Sequence, residues 1–104
     1  MTHRVKKCSS ELCYLANCCT KNRKFIIRGS NQELVKAIGD IALNIIKNKI
    51  PLTSAEKRKV KKYINALQTL GTSSVSTAKK KSVLSSQKGG AVLGLLWNVI
   101  KNII

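Results

Sequence analysis

The chain has 104 residues, with 20 Lys/Arg against 4 Asp/Glu, for a net charge of +16. That length allows one small domain, near the size at which a single core is marginal, and the charge opposes compaction unless a polyanion balances it. The inventory argues against an enzyme. His3 is the only histidine, and Glu11, Glu33, Asp40 and Glu56 are scattered singly. Gly89-Gly90 runs into Ala91-Val92 without the Lys-Ser/Thr of a phosphate loop.

Four cysteines, Cys8, Cys13, Cys18 and Cys19, crowd the first fifth of the chain. The basic stretch Met1 to Lys7 has no apolar run after it, so no secretory leader is expected and the thiols are expected to be reduced. His3, Cys8, Cys13 and Cys18 recur every five residues. Zinc sites instead favour close pairs such as C-x2-C, and five residues turn a helical side chain about 140° off its face. Neither a metal nor a cofactor is therefore expected. A first helix over about 9–20, opened by Ser9 or Ser10 with Glu11 in its first turn, aligns Cys8, Leu12, Leu15 and Cys19 as an apolar stripe.

A basic linker, Lys21 to Gly29, follows, in which Phe25-Ile26-Ile27 is expected to be extended. Ser30 and Glu33 form an S-x-x-E capping signature before a strongly amphipathic helix marked by Leu34, Ile38, Ile41 and Ile45. This helix should run to about Lys49 and stop before Pro51. Thr53 and Glu56 repeat the capping signature. Val60, Ile64, Leu67 and Leu70 mark the buried face of the next helix, and Gly71 is its expected C-terminal cap. The short connection makes the two helices a helical hairpin. Residues 71–77 read as a loop, and a short helix at about 77–86 carries Lys79, Lys80 and Lys81. The expected architecture is all-α, with four parts: a basic Cys-containing segment (1–29), the hairpin (30–70), a basic linker ending in Gly-Gly (71–90) and an apolar tail (91–104).

Charge is graded along the chain. Residues 1–56 hold ten cations and all four acids, net +6, whereas 57–104 hold ten cations and no acid, net +10. Sixteen of the cations are Lys and four are Arg, which suits phosphate neutralisation better than bidentate base reading. Lys57, Arg58, Lys59, Lys61, Lys62, Lys79, Lys80, Lys81 and Lys88 are the candidate contacts to double-stranded DNA. Sequence-specific reading is not expected, because Arg58 alone in the turn Ser54 to Lys59 suits guanine. Single strands are not expected either, since Phe25, Tyr14, Tyr63 and Trp97 offer few stacking surfaces.

The tail, Ala91 to Ile104, is too short to span a bilayer. Leu93, Leu96, Trp97, Ile100, Ile103 and Ile104 cover most of its helical surface. Three placements are open: a last core helix on the hairpin, an interfacial membrane helix, or a segment buried against capsid or another partner.

The order of these pieces carries a resemblance. "IPLT" at Ile50 to Thr53 follows an apolar helix with an Asn-containing end (Ile41 to Lys49). "KRK" comes next at Lys57 to Lys59, and then a "KKK…QKGG" lead enters a leucine-rich end at Lys79 to Leu96. Over about residues 30–100 the chain resembles the pX-like proteins of Polinton/Maverick elements and adintoviruses, which are similar to the precursor of the adenovirus core peptide mu. It departs from mu in being Lys-rich. The resemblance implies a virion-core or nuclear protein that condenses DNA. It also implies cleavage by an adenovirus-type protease after Gly90, within Gln87, Gly89, Gly90 and Ala91.

Overall fold

The computed structural model describes residues 6–86 and 88–101. Its described residues form seven helices and no strand: α1 (Ser9–Asn17), α2 (Thr20–Gly29), α3 (Gln32–Ile46), α4 (Ser54–Lys62), α5 (Ile64–Gly71), α6 (Thr77–Ser85) and α7 (Gly89–Ile100). The radius of gyration is 12.2 Å, against about 13 Å expected of a packed domain of this length. Most of the charge is therefore carried on the surface of a collapsed fold, with Arg23 and Lys80 buried.

The helical hairpin is present, with two differences. α3 packs most extensively on α5, burying Leu34, Ile38, Ile41 and Ile45 against Leu67 and Leu70. Its cap is Asn31, whose Oδ1 accepts from Leu34 N at 3.1 Å, and not Ser30. Ser30 is already committed to closing α2, where its hydroxyl donates to Ile27 O at 2.7 Å. α3 also ends at Ile46, earlier than Pro51 alone requires. Asn48 takes a left-handed φ of 57°, and Lys49 N donates back to Asn44 O at 3.0 Å. This is a Schellman-type stop with Asn in glycine's usual place.

The Thr53/Glu56 capping box forms in full: Thr53 N donates to Glu56 Oε1 at 2.9 Å and Glu56 N to Thr53 Oγ1 at 3.2 Å. The helix it opens breaks at Tyr63 (φ −109°, ψ 22°) into a cationic α4 with no fully buried residue and an apolar α5. Of the expected face, Leu67 and Leu70 are buried, whereas Val60 and Ile64 are half-buried. Gly71 is the last residue of α5, and a Cβ there would sit 3.3 Å from the Leu43 backbone.

The expected basic linker at 21–29, with its extended piece at Phe25-Ile26-Ile27, is helix α2. Arg23 and Ile27, one turn apart, form its buried stripe. α2 lies against α6, and the pair caps each other's ends. Arg23 is only 3% exposed; its Nε donates to Leu84 O at 3.2 Å and its Nη2 to Ser86 O at 2.9 Å, at the end of α6. In return Lys81 Nζ donates to Ser30 O at 2.6 Å and Arg28 O at 3.4 Å, at the end of α2. A cation at a helix C-terminus satisfies orphan carbonyls and opposes the dipole. α1 is shorter than expected; Cys8, Leu12 and Leu15 are buried, but Cys19 is exposed beyond its end.

The tail is a core helix. α7 begins at the Gly-Gly pair and buries Val92, Leu93, Leu95, Leu96, Val99 and Ile100, packing chiefly on α1 and also on α6, α3 and α4. Each such side chain contributes about 1.5–3 kcal/mol on burial, so six together match or exceed the net stability of a typical domain, about 5–15 kcal/mol. Among the described residues no helix is long and apolar enough to cross a membrane.

Candidate nucleic-acid interface

The cationic surface is built on α4 because its only acid is spent locally. Glu56 is held by the backbone of its own N-cap. Lys57, Arg58, Lys59, Lys61 and Lys62 are all exposed, and none forms an ion pair among the described residues. At 100° per residue, Lys57, Lys61, Arg58 and Lys62 fall on an arc of about 140°, turned away from half-buried Val60, with Lys59 further round. Lys62 also stands over the Tyr63 ring, 5.5 Å from its centroid, a weak cation–π contact at an exposed site. Lys57, Arg58 and Lys61 border a groove of about 420 Å³ that is floored by Ile45, Leu52 and Ile64. The arrangement is a convex row of unpaired point charges, suited to phosphates and carrying little geometry for base edges.

The α6 lysines do not act together with this row. Lys79 and Lys88 are exposed, but Lys80 is buried and Lys81 half-buried. The Lys80 ammonium lies 3.8 Å from where a Cβ on Gly39 would sit, beside Leu70 O. Lys81 is engaged by the carbonyls at the end of α2. These two expected phosphate contacts are thus parts of the helix packing. A run of three lysines cannot all face water on a helix that has neighbours on more than one side, and α6 touches α2, α3, α5 and α7.

The expected membrane or capsid residues are likewise corrected. Leu93 (1%), Leu96 (0%) and Ile100 (0%) are enclosed in the core, and Trp97 is packed against it, half-buried. Ile103 and Ile104 lie outside the described residues. The Gly-Gly joint is not an open linker. Gly89 is buried, and a Cβ there would collide with Leu84 O; one on Gly90 would approach Arg23 Nη1 to 2.6 Å. The glycines let the start of α7 lie close against the end of α6 and the buried guanidinium. Ala91 is exposed in the first turn of α7, and Gln87 is outside the described residues.

None of the four cysteines is joined in a disulfide among the described residues, and they range from buried Cys8 to exposed Cys19. Among the described residues no three His, Cys, Asp or Glu side chains converge as a metal site. Lys21, Lys24 and Arg28, which the sequence shows only as part of a basic linker, are all exposed on α2. Their spacing of three and four residues was the available signal, hidden by the assignment of this segment to a linker.

Compared with known proteins, the chain matches no family model, no curated protein and no solved structure.

Proposed function

We propose that this chain is a small helical DNA-neutralising protein that binds duplex phosphates through α4, largely without regard to sequence. The observation that carries this reading is the row Lys57, Arg58, Lys61 and Lys62, exposed on one arc while Glu56 is bound to the cap of the same helix. An ordinary solvated surface mixes both signs. Lys79 and Lys88 extend the contact, and Lys80 and Lys81 hold the scaffold. The resemblance to the pX-like proteins suggests a virion core as the setting.

Cleavage after Gly90, which that resemblance implies, would be a disassembly step in this fold and not the trimming of a free tail. The Gly90–Ala91 bond lies in the first turn of α7, and six side chains between Val92 and Ile100 beyond it fill the core. A protease that needs an extended substrate would first have to unwind that turn.

The test is fluorescence anisotropy with random-sequence duplexes at increasing sodium chloride. Binding at 50 mM salt that falls steeply by 200 mM, with equal competition from unrelated duplexes, is the expected result. Absence of binding at low salt, or binding indifferent to salt, would refute the proposal.

A further inference from the structure

Phe25 is 82% exposed, the most exposed large hydrophobic side chain described. Its position on α2 makes this unusual. Arg23 and Ile27 form the buried stripe, and Phe25 stands about 180° from their mean direction, along the outermost line of the helix. The chain could place a polar residue there without losing any packing. Lys21 and Arg28 lie one turn before and one turn after it, within about 5–6 Å between Cβ atoms on a helix surface, and Lys24 precedes it. Together with Asn22 these side chains border a shallow cleft of about 280 Å³. No cation covers the ring among the described residues; the cation–π contact recorded there is Lys62 on Tyr63. α2 bears no acid.

We propose that this face of α2 binds single-stranded DNA, with an unpaired base stacked on Phe25 and the flanking phosphates held by Lys21, Lys24 and Arg28. The small number of aromatics argues against single strands, but one exposed ring set among three cations reverses that expectation for this face. An aromatic face flanked by cations is the pairing used where bases stack and backbones are neutralised without sequence preference. A protein partner is disfavoured because interface cores are depleted in Lys. A lipid surface would call for a stripe of apolar residues, but here one ring stands alone and Ile26 beside it is half-buried in the fold. Bases stacked within a duplex cannot offer a face, so this site takes strand ends or melted steps. α2 and α4 pack on different neighbours, α6 for the former and α5 and α7 for the latter. The site is therefore separate from the duplex-binding row and does not depend on it.

The experiment measures binding of a fluorescent 20-nucleotide oligo(dT) to the full chain at 100 mM salt. Oligo(rU) and phosphatidylserine vesicles are run in parallel. Phe25→Ala is expected to weaken oligo(dT) binding about 5- to 150-fold, the range for losing one stacked base. Phe25→Trp should retain the affinity, and Phe25→Leu, which keeps apolar bulk without a π-face, should be as weak as Phe25→Ala. The side chain makes little packing contact, so circular dichroism and melting should match wild type. Equal oligo(dT) affinity for Phe25→Ala and wild type overturns the proposal, as does rescue by leucine. A loss confined to vesicles or to oligo(rU) also overturns it. The Phe25 effect should persist when the α4 cations are neutralised, so failure of the duplex reading and failure of this one are separable.

Discussion

Neutralising Lys57, Arg58, Lys61 and Lys62 together as glutamines tests how charge is divided between surface and scaffold. Each phosphate contact contributes about 0.9 to the slope of log affinity against log salt for duplex DNA. Four contacts from one arc of α4 give a contribution of about −3.6, or roughly a 150-fold loss of affinity between 50 and 200 mM salt. The quadruple variant should lose that steepness and keep its melting temperature, because α4 buries no residue fully. The paired control is Lys80→Gln with Lys81→Gln, which removes two equal charges from the packed side. Its salt slope should match wild type. Its melting temperature should fall by roughly 4–8 °C for each kcal/mol lost when Lys81 releases the carbonyls of Ser30 and Arg28. Anisotropy titrations at five salt concentrations, with melts of the same samples, give both quantities. Equal slope reductions in the two variants would show that the phosphates do not distinguish α4 from α6, and would refute the assignment.

Other consequences of the fold are as direct. Arg23→Met removes the donor from one buried and one partly buried carbonyl at the end of α6 and should cost about 2–3 kcal/mol in urea unfolding; a neutral outcome would deny the cross-cap. Gly89→Ala should destabilise by about 1–3 kcal/mol because its Cβ meets Leu84 O. Gly94→Ala has open space and should stabilise by about 0.5–1 kcal/mol; the same sign for both would contradict the packing of α7. An adenovirus-type protease should leave Gly90–Ala91 intact in the folded chain and cut it after mild heating, as read by mass spectrometry. Rapid cleavage at 25 °C would mean that the first turn of α7 is not formed.

The hairpin was legible in the sequence because its signals are local and reinforce one another. The 3.6-residue apolar pattern of α3 and the Thr53/Glu56 box both specify structure within one turn of themselves. α2 was not legible for the opposite reason. Its buried stripe is Arg23 with Ile27, and an arginine reads as a solvent residue until Leu84 and Ser86 supply carbonyls from more than sixty positions away. The same holds at Lys80 and Lys81, whose surroundings come from α3, α5 and the end of α2. Gly-Gly read as a hinge because composition shows the freedom of glycine but not the neighbour that makes a side chain intolerable. Of the candidate interface, the α4 row followed directly from charge once Glu56 was assigned to the cap. The exposure of Phe25 needed the helix phase that only α2, recognised as a helix, supplies.

The docking of α1 on α7 brings the two ends of the described chain together, which orders events during synthesis. Leu12 and Leu15 leave the ribosome early, yet the helix that shelters them follows only after α2 to α6 have emerged. Until α7 emerges, the nascent polypeptide carries exposed grease and a rising positive charge. Contacts so distant along the chain also slow closure relative to a bundle of sequential hairpins.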